Sequence, residues 1–196
     1  MIFNKSKFDY LVVGLGNPGA PYRNTRHNAG FMAVDRLLES YPPLKEKERF
    51  KAQTFETVIE GKNVLVIKPL TFMNLSGEAV RKAMSFYKIP PQKLIVLFDD
   101  ISLPLGKIRV RPSGSCGGHN GMRNISELLC TENIARIKIG VGDKPHPEYD
   151  LTKWVLAVLT QEEKSQLSAA LNNAVGAVKT IITKDIQTAQ SMFNGA

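Results

Sequence analysis

The sequence predicts an α/β sandwich built on a largely parallel or mixed sheet. Three observations lead there. Short apolar runs alternate along the chain with segments of helical periodicity, the pattern of strands covered by helices. The cleanest runs, Tyr10–Leu15 and Leu94–Phe98, are of strand length and wholly apolar, as buried strands are. Each then gives way to a polar loop, where ligand sites form in open α/β sheets.

Tyr10–Leu15 is the first strand. Beyond it Phe31, Val34, Leu37 and Leu38 recur at helical spacing, with Asn28 placed as an N-cap and Pro42-Pro43 as the stop. Thr54–Ile59 and Val64–Ile67 flank Glu60-Gly61-Lys62-Asn63 and form a hairpin. After Lys68–Gly77 comes a helix that buries Ala79, Val80, Ala83, Met84 and Tyr87. Leu94–Phe98 is a buried strand running into Asp99-Asp100. Ile108-Arg109-Val110-Arg111 alternates like a half-exposed one. A glycine-rich stretch, Gly114–Gly121, leads to a helix over about Asn120 to Leu129, and Ile137–Val141 is a further strand. Thr160 and Glu163 make a capping box for a long helix with the stripe Leu167, Leu171, Ala174, Val178, Ile181. There are no internal repeats.

The 196 residues are expected to form a single domain, 1–196, with one core. Hydrophobic residues at 43% and charged residues at 22% argue against disorder. No run approaches the ~18 apolar residues of a membrane span, and Met1–Lys7 has no secretory h-region. The formal charge of +8 suits either a polyanion partner or a generally basic solvated surface. Cys116 and Cys130 lack metal-ligand spacing and fit free thiols in a reducing cytosol.

The chemistry concentrates in Tyr22–Phe31, where His27 stands among Arg23, Arg26, Asn24 and Asn28 just past the first strand. Histidine is the side chain best suited to proton transfer near neutral pH. Asp99, at the end of another strand, suits a partner that fixes its tautomer; a turn cap is the other reading. Asn17, Asn74 and Asn120 sit beside glycine or proline or ahead of helices. They suit turn chemistry or a site that reads amides and a developing oxyanion.

Gly14, Gly16 and Gly19 match a dinucleotide fingerprint. Pro18 and Pro21, however, separate them from the helix that should hold the pyrophosphate. A tight turn allowing close backbone approach fits better. There is no nucleophile elbow, and Cys116 lies in a glycine loop of the kind that marks a tightly turned backbone. Water activated by a general base is what remains. Arg109, Arg111, Arg136 and Lys138 alternate on two strands. If those strands are neighbours they make a basic ridge for phosphates, or else a charge-guarded edge.

Four blocks together, VGLGNPGAPYRNTRHNAGF, KPLTFMNLSG, DDISLPLGKIRVR with GSCGGHNG, and RIKIGVG, resemble the bacterial-type peptidyl-tRNA hydrolase family from about Tyr10 to Gly142. The resemblance implies a monomeric three-layer α/β/α protein with a central mixed sheet, and the free thiols leave the cytoplasm as its expected location. The activity it implies is hydrolysis of the ester joining a peptide to the 3′ ribose of tRNA, without metal or cofactor. By motif, His27 would be the general base and Asp99 its orienting carboxylate. Asn17, Asn74 and Asn120 would contact the peptide and the ester, with Met73 and Tyr22 lining the cleft. Arg111 and Lys138 would hold tRNA phosphate. The chain departs from the family's pattern at Ser102, Pro112-Ser113, Cys116, Lys138 and Asp143, and a lysine at 138 cannot grip phosphate bidentately. The competing readings are a non-catalytic RNA-binding protein on the same fold and a nucleotide-dependent oxidoreductase.

Overall fold

In the computed structural model, which describes residues 6–195, β1 (Tyr10–Gly14) occupies the middle of a mixed sheet. It lies parallel to β4 (Lys62–Pro69) on one side and β5 (Leu94–Asp100) on the other. β7 (Ala135–Gly140) continues the parallel set beyond β5. Antiparallel strands close both edges: β3 (Ala52–Ile59) and β2 (Lys45–Arg49) beside β4, and β6 (Ile108–Arg111) beside β7. Among the described residues the order is β2-β3-β4-β1-β5-β7-β6. The reading of Met1–Lys7 falls mainly on residues outside the described span.

Helices cover both faces, so the three-layer α/β/α expectation holds. α1 (Ala29–Ser40) and α5 (Gln161–Thr183) bury Val34, Leu37, Leu167, Ala174 and Val178 against Val12, Leu97, Ile137 and Ile139. α2 (Ser76–Tyr87) and α3 (Asn120–Leu129) bury Val80, Ala83, Met122 and Ile125 against Leu11, Val13, Val96 and Phe98. Each central strand therefore has apolar residues on both faces, which is why β1 and β5 read as unbroken apolar runs. The predicted capping box forms, with Thr160 accepting from Glu163 N–H and Glu163 accepting from Thr160 N–H.

Four details differ from expectation. The hairpin turn is only two residues, Glu60 and Gly61, both at positive φ (48° and 78°), so β4 starts at Lys62. This is the turn whose twist matches paired strands. β2 is wholly exposed, and its sequence, Lys-Glu-Lys-Glu-Arg, offers no apolar alternation to find it by. α4 (Leu151–Val155) and α6 (Ile186–Phe193) are short helices that periodicity did not reveal. Asn28 precedes α1 but makes no cap bond. Its side chain instead bridges to the backbone of Asn17, accepting from Asn17 N at 2.9 Å and donating to Asn17 O at 3.0 Å.

The glycine turn after β1 allows close approach, as the sequence suggested. A Cβ on Gly14 would sit 2.3 Å from Gly30 O, and one on Gly30 would sit 2.3 Å from Leu97 O. With neither Cβ present, the first turn of α1 rests directly on the ends of β1 and β5. That contact brings the segment before α1, with His27, to the end of β5, with Asp99.

Candidate active site

Asp99 ends β5 inside the molecule, only 4% exposed. A carboxylate so buried needs donors, and two imidazoles supply them. His27 Nδ1 lies 2.9 and 3.0 Å from the two Asp99 oxygens. His119 Nε2 lies 3.0 Å from Oδ1. The tautomers follow from the remaining partners. His119 is the N-cap of α3, and its Nδ1 accepts the Met122 N–H. Its proton is therefore on Nε2, facing Asp99. For His27 the proton belongs on Nδ1, towards the carboxylate, and Nε2 keeps its lone pair.

These contacts set the charge states. Burial alone would lower the His27 pKa, but the Asp99 charge and hydrogen bond outweigh it and raise the value above the usual 6.5. Burial alone would raise the Asp99 pKa; the two histidines outweigh it and hold the carboxyl well below the usual carboxylate range. Asp99 is thus an anion at any working pH.

The pair opens on a cleft of about 390 Å³. Asn17, His27, Met73, Asn74, His119, Asn120 and Lys138 all line it, so six of the residues named from sequence converge with Asp99 on one site. Phe72, Leu151, Val155 and Leu156 add apolar wall, the last three from α4 and its end. Asn17 is held by Asn28, and its own Oδ1 accepts the Met73 N–H at 2.9 Å. With the oxygen engaged, Asn17 offers the cleft its NH₂ group, a donor.

α4 is held over the cleft through Arg26, the neighbour of His27. The Arg26 guanidinium stacks 3.7 Å above the Trp154 ring and pairs with Glu163. Its backbone N–H donates to Ala157 O.

The structure places some predicted residues elsewhere. Tyr22 is not among the residues lining the cleft; it closes a 3-10 turn, where its carbonyl accepts the Thr25 hydroxyl and N–H. β6 and β7 are neighbours, with Arg109 opposite Lys138 and Arg111 opposite Arg136. Arg109 and Arg111 are exposed. Arg136, however, is fully buried on carbonyls and leaves the ridge. Arg111 lies off the cleft. Lys138 lines it but is bound to Asp100 at 2.7 Å, and Asp100 is held in turn by the Ser102 N–H and hydroxyl. Sequence reasoning missed His119 as a partner of Asp99. The available signal was a side chain able to cap, set one residue ahead of a helix opening Asn-Gly.

His27, Asp99 and His119 also form a trio whose potential metal-ligating atoms lie within 4.8 Å of one another. Both His119 nitrogens and His27 Nδ1 are already committed to hydrogen bonds, so a cation there would have to displace them. Among the described residues no helix is long and apolar enough to cross a membrane.

Comparison with known proteins adds four findings. A family model described as peptidyl-tRNA hydrolase matches residues 11–196. The peptidyl-tRNA hydrolase of Gloeobacter violaceus is 46% identical over 185 residues, covering 94% of this chain and 93% of the relative. That of Clostridium beijerinckii is 45% identical over 186 residues, 95% of this chain and 96% of the relative. The crystal structure of peptidyl-tRNA hydrolase from Acinetobacter baumannii superimposes with a TM-score of 0.86 at 34% identity, covering 96% of this chain and 95% of that one.

Proposed function

The chain belongs to the peptidyl-tRNA hydrolase family, and on that footing we propose that His27 is the general base of its reaction. The enzyme hydrolyses the ester between peptide and tRNA and releases the tRNA. One observation carries the assignment of the base: Asp99 holds His27 through Nδ1, while Nε2 bonds to no described protein group and His27 lines the cleft.

The reaction follows from that geometry. Nε2 takes a proton from water as the oxygen attacks the ester carbonyl carbon. The imidazolium that forms is stabilised by Asp99, which keeps its negative charge throughout. The carbonyl oxygen becomes an oxyanion, and amide donors meet it: the Asn17 NH₂, and the Asn120 side chain at the first turn of α3. Collapse breaks the bond to the ribose oxygen, which takes the proton back from Nε2. The products are a peptide carboxylate and a tRNA with a free ribose hydroxyl. A ribose oxygen leaves far more easily than an amine, so the base and the amide donors suffice.

The substrate has two halves, and the site has two kinds of wall. The apolar side, Phe72, Met73, Leu151 and Val155, suits the peptide, with Asn74 at its rim to bond backbone amides. Lys138 on the cleft wall, with Arg109 and Arg111 on the adjoining strand, suits tRNA phosphates. Since Lys138 already has Asp100 as a partner, a phosphate has to compete for it.

Every residue in this scheme comes from one chain, and the reading takes the active unit to be a monomer of one domain acting in the cytoplasm, where peptidyl-tRNA arises. A cleavage assay with His27→Ala tests it. Turnover should fall by at least ~100-fold, the lower scale of general-base catalysis, while binding of deacylated tRNA holds. Near-normal turnover overturns the assignment.

A further inference from the structure

Arg136 is among the largest fully buried side chains of the protein, at 0% exposure, and the chemistry above makes no use of it. Its partners are carbonyls throughout. Nε donates to Ile134 O at 3.2 Å, Nη1 to Ser115 O at 2.9 Å and Nη2 to Glu132 O at 2.8 Å. Burying a cation costs free energy, and burial lowers the Arg136 pKa. A buried basic group kept at that cost needs a reason. Phosphate binding is not it, because no phosphate reaches this side chain without displacing its bonds to the carbonyls.

The positions of those carbonyls give the reason. Ser115 belongs to the connection from β6 into α3. Glu132 and Ile134 belong to the connection from α3 into β7. The first connection climbs the face of β7: Ser115 rests on Arg136, Gly117 passes Lys138, and His119 arrives at Asp99. The Gly114 N–H also donates to Glu132 O, so the two connections meet under the guanidinium. Gly114, Gly117 and Gly118 all have positive φ, and a Cβ on Gly114 or Gly118 would meet nothing within 4 Å. Little side-chain packing holds these glycines in place.

We propose that Arg136 is a positioning residue for the reaction: its guanidinium ties both connections of α3 together and so holds His119 and Asn120 in the cleft. The fork geometry matters. Three acceptors in three directions match a planar guanidinium, whereas a lysine ammonium is a single point of charge on a flexible stem. The inference rests on the proposed roles of His27, Asp99 and His119.

Its consequence at the chemical centre is specific. Asp99 Oδ1 is shared between His27 and His119. If the loop slackens, the His119 bond weakens and the carboxylate acts more fully on His27, which then holds its proton to higher pH. The charged groups around His27 are Asp99 from β5, His119 ahead of α3, and Asp100 and Lys138 on the cleft wall; Arg26 is turned towards Glu163.

The experiment compares full-length wild type, Arg136→Lys and His119→Asn on peptidyl-tRNA across pH. For Arg136→Lys, kcat should fall about 10- to 100-fold, the scale of an ångström-level displacement of catalytic groups. The acidic limb of the profile should move to higher pH, and deacylated tRNA should bind as before. A folded Arg136→Lys with wild-type kcat and limb overturns the proposal. If His119→Asn moves the limb and Arg136→Lys does not, the positioning role alone is wrong; if neither does, the underlying reading of Asp99 and its histidines has failed. Should Arg136→Lys not fold, the wild-type Arg136 Nε–H and Gly114 amide are followed by NMR hydrogen exchange. Joint slow exchange supports the tether, and rapid exchange of either overturns it.

Discussion

His27 and His119 donate to the same oxygen of Asp99, at 2.9 and 3.0 Å. His119 Nδ1 accepts the Met122 N–H, whereas His27 lines the cleft and its Nε2 bonds to no described protein group. The arrangement gives His27 an available ring nitrogen and makes His119 a second donor that moderates how strongly Asp99 holds His27.

Asp99→Asn should therefore do more than slow the reaction. The amide cannot supply the charge that offsets burial, so the His27 pKa should drop below 6.5 instead of lying above it. We expect kcat to fall by more than ~100-fold, since the wrong tautomer is now favoured. The acidic limb of whatever activity remains should shift to lower pH. A loss of activity with an unmoved limb contradicts the coupling.

Replacing His119 separates its two jobs. His119→Ala removes the α3 cap and should destabilise the protein by roughly 1 kcal/mol. His119→Asn restores a good capping residue but withdraws the donor from Asp99, so stability should recover while the acidic limb rises. Denaturant titrations beside pH–rate profiles read both effects.

Much of this was legible before any coordinates. Buried strands announce themselves by apolar runs, and the segments holding His27, Asp99, Met73 and Asn120 all follow such runs or open a helix. What stayed hidden has physical causes. β2 is pure charge because both its faces meet water. α4 has five residues, too few for a period to show. His119 caps a helix with an imidazole rather than the usual hydroxyl or carboxylate. Arg136 alternates with apolar residues as an exposed arginine would, and nothing local tells that the 112–119 connection folds over it.

Lys138 and Asp100 give a prediction of opposite sign. They pair at 2.7 Å, and a tRNA phosphate that takes Lys138 must break that pair. Asp100→Asn should release the lysine, tighten binding of deacylated tRNA and steepen its salt dependence by about 0.9 in log–log slope, one phosphate's worth. Lys138→Ala should do the reverse. An unchanged slope in both variants removes Lys138 from the docking surface.

The contact between His27 and Asp99 also links pH to stability. A histidine with a raised folded pKa stabilises the fold in its protonated form. That contribution is complete below pH 6.5 and is lost as pH rises through the raised folded value. His27→Ala should thus flatten the stability profile in that window, most visibly as a smaller fall in melting temperature between mildly acidic and neutral buffer.

The most direct measurement titrates His27 by NMR in the wild-type protein and sets the result beside the pH dependence of kcat/KM for peptidyl-tRNA. Agreement between the His27 pKa and the acidic limb, both above 6.5, is what a neutral His27 acting on water requires. Activity that passes unchanged through the protonation of His27 would contradict it.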